Sequence, residues 1–321
     1  MPGFYTHYLF GSTTYHRIPD DYVRHIISTE KDVYCLGLQG PDFLFYFLPS
    51  YLIHHDNLGS IMHEKRTGCF LYHLLLSCNS FFEKADRNIA MAYVFGFLGH
   101  YSLDSTAHPF IYDRTHFAHE KTQEYYSGHM GYETELDREL LDYYKHKKPS
   151  EFPQYKTIRL HPRQWRVVSS MLNEAIFHTY PEYHSTYAMI KTAITSVRFG
   201  TWLLSDPIGF KRPLVSRFEK RFFGYYPISI MIPSDKPTGF GDVLNVMHDT
   251  WKNPWVPSET SDKDFFDILE DARLDYLHLL EITGKLFTLD RGHFDRDYLK
   301  KWREEIGNRS YHSGLPCDQN D

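Results

Sequence analysis

Apolar residues recur along this chain mostly at three- and four-residue spacing, and the two-residue alternation of half-buried strands is scarce. The pattern predicts a succession of helices. Residues 19–34 form the first, opened by the acidic pair Asp20 and Asp21. Residues 37–42 make a turn into the aromatic run 43–47. Further helices are expected over 59–78, over 86–107 with Pro109 as the stop, and over 128–146 after a loop at 111–127. Residues 147–162 read as a linker, and helices follow over 163–180 and 184–206. The stretch 207–260, rich in proline and aromatic clusters, reads as irregular structure draped over the helices. An amphipathic helix over 261–286 has Ser261 in the cap position and Asp264 near the third helical residue. Beyond Asp290 the chain is polar, and its last dozen residues are expected to be disordered. The fold class is all-α, a single domain over residues 1–305 followed by a polar tail, 306–321.

The helix over 86–107 carries an anomaly. His100, Asp104 and His108 stand at i, i+4 and i+8, on one face, while Ile89, Tyr93, Val94, Phe97 and Leu98 make the same helix apolar. Burying that carboxylate without a partner would cost roughly several kcal/mol, and a metal ion supplies a partner. The next helix repeats the arrangement with His129 and Glu133 at i, i+4, and Asp137 continues the stripe. A lone pair of this kind is an ordinary surface ion pair; two clusters so close in sequence, one inside an apolar helix, point to a metal cage built across a bundle. These five donors already exceed one tetrahedral zinc ion, and the absence of thiolates favours catalytic zinc over a structural cysteine site, with manganese or iron less suited.

Four motifs occur together and in order: Thr6-His7-Tyr8-Leu9-Phe10-Gly11; Gly37-x-x-Gly40-Pro41-Asp42; Gly99-His100-x-x-x-Asp104-x-x-x-His108-Pro109; and His129-x-x-x-Glu133. In this combination the chain resembles the zinc-dependent phospholipase C family over roughly residues 4–145, and weakly over 251–272. The resemblance implies an all-helical bundle with a metal-lined cleft holding two to three zinc ions. It assigns Asp42, His63, His100 and Asp104 to a first ion, His108, His129 and Glu133 to a second, and His7 with a bridging Asp104 to a third. His54, His55 and His73 compete with His63, which is preferred because it starts an apolar helical stripe. The imino group of Pro2 is one candidate to complete the third position. His116 and His119 read as loop residues. Asp42 serves either as a ligand alone or also as the acceptor of a proton from water. Phe4, Tyr5, Phe43, Phe45 and Tyr46 are candidates for the cleft wall, with core packing the alternative for each.

The implied activity is metal-dependent hydrolysis of phosphate esters, most closely a phosphodiesterase using a metal-activated water. A nucleotide or single-strand nuclease-like phosphohydrolase and a non-catalytic zinc-binding scaffold are the rivals. Composition narrows these. With 35 basic against 41 acidic side chains the net charge is −6, which argues against a long nucleic acid as partner. The one local basic-aromatic stretch, residues 211–221, reads as a solvated helix face, with contact to a phosphate-bearing substrate or lipid surface as the alternative. There is neither a signal-peptide pattern nor a run of 18 apolar residues, and the four cysteines form no CxxC. The expectation is a cytoplasmic enzyme with at most peripheral membrane contact, turning over soluble phosphodiesters at least as well as bilayer lipid.

Overall fold

Why residues 4–14 form a helix is not evident from periodicity, since their apolar side chains encircle the axis rather than form a stripe. In the computed structural model, which describes residues 3–47, 57–117, 122–289 and 294–317, this segment is helix α1 (Phe4–Thr14), buried on most sides. Helices α2 (Asp21–Thr29) and α3 (Lys31–Gly37) replace the single helix expected over 19–34. Asp20 caps α2 by accepting from the N–H groups of Tyr22 and Val23, and the break falls at Glu30, with φ −112° and ψ 41°. A 3-10 segment, Gly40–Tyr46, leads toward α4 (Leu58–Glu64) and α5 (Thr67–Ser77). Here too one expected helix is two. The chain turns at Lys65 and Arg66, the latter at φ 56°, so His63 ends α4 rather than starting a long stripe.

Helix α6 (Lys84–Arg114) is the axis of the molecule, with α3 packed along it. It passes through Pro109 instead of stopping there. Proline leaves the Ser105 carbonyl without its helical N–H partner, yet every residue from Ala107 to Tyr112 is buried and that packing holds the helix on course. Gly314 lies against the same carbonyl at φ +70°; a Cβ there would stand 2.5 Å from the oxygen.

Helix α7 (Gln123–Lys145) begins before the expected residue 128, capped by Thr122, whose hydroxyl accepts from the Tyr125 N–H. Helices α8 (Pro162–Thr179) and α9 (Tyr187–Leu204) lie close to their expected places. The stretch 207–260 is not wholly irregular. It holds α10 (Lys211–Phe222) and an antiparallel hairpin, β1 (Trp251–Asn253) with β2 (Val256–Ser261), in which Trp251 pairs with Ser261 and Lys252 with Thr260. The Trp251 ring meets Phe110 of α6 edge-on. Helix α11 (Phe265–Leu289), which also packs along α6, is capped by Asp264, not Ser261: the Asp264 carboxylate accepts from the Asp267 N–H at 2.8 Å, while Ser261 ends β2. Helix α12 (Arg296–Ile306) follows. The hairpin is the only sheet among the described residues, and the fold is all-α.

Of the last dozen residues, expected to be disordered, those that are described, 310–317, are packed. Segment 307–317 folds back between α5 and α6: Arg309 O accepts from the Thr67 hydroxyl, Asn308 Oδ1 accepts from Gly68 N–H, and Arg309 pairs with Asp275. No helix among the described residues is long and apolar enough to cross a membrane, and the four cysteines form no disulfide with one another.

Candidate metal centre

Five separate elements bring the eight candidate residues together. His7 comes from α1, Asp42 from the Gly40–Tyr46 segment, His63 from α4, His100, Asp104 and His108 from α6, and His129 and Glu133 from α7. Asp104 is at their middle. One oxygen lies 3.2 Å from His7 Nε2; the other lies 3.1 Å from His100 Nε2 and 3.7 Å from both His63 Nε2 and His108 Nδ1. Asp42 Oδ1 sits 3.2 Å from His63 Nε2 and 3.8 Å from His100 Nε2. On the other side, Glu133 Oε1 is 3.0 Å from His129 Nε2 and 3.8 Å from His108 Nε2. Three donor groups have the spacing of metal sites: His63 with His100 and Asp104; His108 with His129 and Glu133; and His7 with Asp42 and His100. Asp42, His129 and Glu133 keep side-chain exposures of 11%, 9% and 9% and form the mouth; the other five are fully buried and form the floor.

The imidazoles are held by their far nitrogens. His63 Nδ1 donates to the Gly59 carbonyl (2.6 Å), His100 Nδ1 to Leu38 (3.2 Å) and His108 Nδ1 to Tyr311 (2.7 Å), while His129 Nδ1 pairs with the Thr115 hydroxyl (3.2 Å). A carbonyl only accepts, so the first three rings carry their proton on Nδ1 and aim the Nε2 lone pair inward. Those three Nε2 atoms, both nitrogens of His7 and both oxygens of Asp104 are buried without a hydrogen-bond partner. Such orphaned atoms are costly unless a cation joins them, so the residues present fit a metal centre. Electrostatics agree. Burial alone would push the Asp104 carboxyl up, but His100 and His108 outweigh it and hold it well below the carboxylate range. Burial pushes His108 down to about 4, against the pull of Asp104, which keeps the ring in its neutral, ligating form near pH 7.

The glycine motif has a local reason. Gly40 adopts φ +48°, and a Cβ there would come within 2.1 Å of the His100 ring, so only glycine lets the chain pass the imidazole and present Asp42 two residues on. Asp137 does not continue the cluster. Its carboxylate caps α1, accepting from the N–H groups of Tyr5 (3.0 Å) and Thr6 (2.7 Å) and from the Thr6 hydroxyl (2.7 Å), and thereby fixes the helix that carries His7.

Of the competing histidines, His73 is bonded to Thr179 away from the cluster, His116 is exposed, and His54, His55 and His119 lie outside the described residues, as does Pro2. Of the proposed wall aromatics, Phe45 stands against the His63 ring at 5.5 Å, whereas Tyr5 and Phe43 are buried in the core. Sequence reasoning missed the aromatic neighbours of His129. Tyr112 packs on His129 at 4.7 Å and on Trp255 of the hairpin at 5.1 Å. It also missed His312, whose ring lies 5.6 Å from those of both His63 and His108 and whose Nδ1 is 2.8 Å from the Tyr112 hydroxyl. A lone histidine in a polar stretch carries no periodicity; only the fold-back of residues 307–317 brings it here.

Comparison with known proteins adds one match. The family model described as zinc dependent phospholipase C matches residues 6–193, more than half of the chain and a range containing all eight candidate residues. No curated protein and no solved structure matches the chain.

Proposed function

This chain belongs to the zinc-dependent phospholipase C family and is a metal-dependent phospholipid hydrolase, and from that premise we propose that it cleaves the phosphodiester bond of the lipid head group by attack of water at phosphorus. The observation that carries this reading is the convergence on Asp104 of buried imidazole nitrogens that have no hydrogen-bond partner. Asp42, His63, His100 and Asp104 would hold one zinc ion, His108, His129 and Glu133 a second, and His7 with Asp104 a third, although by spacing His7 also groups with Asp42 and His100. Zinc bound there would supply positive charge against the phosphoryl oxygens and lower the pKa of water toward neutrality. The protein's own groups do the rest. Asp42 has a buried Oδ1 within the cluster and a side chain still open at the mouth, so its second oxygen is available to take the proton as the water oxygen bonds to phosphorus. The bond from phosphorus to the glyceride oxygen breaks, and that proton passes to the leaving alkoxide. Phe45 beside His63, and Tyr112 with Trp255 beside His129, add apolar surface around the cluster that would limit bulk water.

The test is metal content with activity. Protein purified without chelator should hold two to three zinc equivalents and release a phosphorylated head group and diacylglycerol from phosphatidylcholine. Turnover of nucleotide esters alone would move the substrate to the nucleotide class. A zinc-replete protein inert on every phosphodiester would overturn the proposal.

A further inference from the structure

Helix α10 is mounted with its polar side inward. Its one buried residue is Glu219, whose carboxylate accepts from the N–H groups of Ile228 and Ser229 and from the Ser229 hydroxyl. At the other end the Asp206 carboxylate accepts from the N–H groups of Phe210 and Arg212, and Lys211 Nζ donates to the carbonyls of Leu203 and Ser205. These polar anchors fix the helix while its apolar residues face water. Leu214, Phe218 and Phe222, at i, i+4 and i+8 on one face, are 56%, 55% and 65% exposed, and the Phe218 and Phe222 rings lie 4.4 Å apart. Phe210 and Phe223 extend this surface, and Trp202, at the end of α9, is as open. An apolar face held in water by dedicated polar fasteners marks an interaction site.

The charge says which partner. Arg217, Lys220 and Arg221 stand exposed beside the rings, with no carboxylate partner among the described residues, in a chain whose net charge is −6. Aromatic tips beside unpaired cations on a short amphipathic helix suit an anionic lipid surface, where rings enter the head-group layer and cations meet phosphates. A second copy would instead bring like charges face to face. The face is also tied to the metal centre on two sides. Helix α9 packs on the Gly40–Tyr46 segment that presents Asp42, and α10 seats on residues 229–231, which pack against α7, the helix of His129 and Glu133.

We propose that the exposed face of α10 docks this enzyme on anionic phospholipid bilayers. Its purpose rests on the phospholipid reading above; its physics does not. Docking delivers lipid to the mouth without a membrane-crossing helix, so bilayer substrate should outpace a soluble ester of the same head group, contrary to the expectation from sequence.

Flotation of the full-length, zinc-loaded protein with vesicles of phosphatidylcholine, with and without phosphatidylserine, tests it beside turnover of a monomeric short-chain phosphatidylcholine. Wild type should float with the mixed vesicles, and Phe218→Ser/Phe222→Ser should lose about tenfold of that partitioning and of the bilayer rate, with the monomeric rate unchanged. Arg217→Gln/Lys220→Gln/Arg221→Gln should lose the preference for phosphatidylserine. A double serine variant that floats like wild type would overturn the proposal. So would a wild type that ignores vesicles but forms a dimer, seen by sedimentation and abolished in the variant. Docking without hydrolysis of either substrate would support the surface while overturning the proposed reaction.

Discussion

At Asp104 one fully buried carboxylate meets His7 through one oxygen and His63, His100 and His108 through the other. Asparagine at this position keeps the shape but turns one acceptor into a donor and removes the charge that burial among imidazoles makes valuable. Asp104→Asn should therefore lose at least one zinc equivalent and about a hundredfold or more in turnover, since even the outer partners of metal ligands are worth 10–100-fold. His116→Ala, at an exposed loop position, should stay near wild type in zinc content and rate. Equal losses in the two variants would remove Asp104 from its assigned role. This residue was legible in the sequence because spacing along one helix needs no knowledge of the fold. His312 was not, since its closeness to His63 and His108 depends on chain reversal more than two hundred residues downstream.

Among elements, α1 shows how a helix with no apolar stripe is positioned. It is fastened at its first turn by a carboxylate from α7, and Asp137 satisfies two of its free N–H groups together with the Thr6 hydroxyl. Asp137→Ala should cost about 1–2 kcal/mol, the usual range for loss of a cap, and should shift zinc affinity as well because His7 sits on the helix it releases. Asp137→Asn, which retains an acceptor, should recover much of the stability; chemical denaturation with zinc titration reads both. A stable Asp137→Ala protein with unchanged zinc affinity would sever this link. The helix breaks at Glu30 and Arg66 escaped the sequence reading for a related reason. Apolar residues keep three- and four-residue spacing on both sides of each break, so periodicity runs on while the axis turns. Pro109 misled in the other direction, because burial on all sides of α6 overrides a local signal for ending.

For the whole molecule, the match to the family ends at residue 193, yet Tyr311 joins both halves of the metal centre: its N–H donates to the His63 carbonyl and its own carbonyl accepts from His108 Nδ1. A chain ending after Ile306 should keep its helices but bind zinc 10–100-fold more weakly, the usual cost of losing an outer-shell partner, as competition with a chelator would read. Undiminished affinity would reduce the segment to a cover. The pairing also has a consequence in time. At roughly 5–20 residues per second, residue 311 is added some nine to thirty-six seconds after Glu133, the last of the eight candidate donors. Throughout that interval the motif residues are all made, but the His108 ring has nothing to fix its tautomer. A nascent chain stalled between Glu133 and Tyr311 therefore carries every candidate donor of the cluster and should still hold zinc only as weakly as the truncated chain.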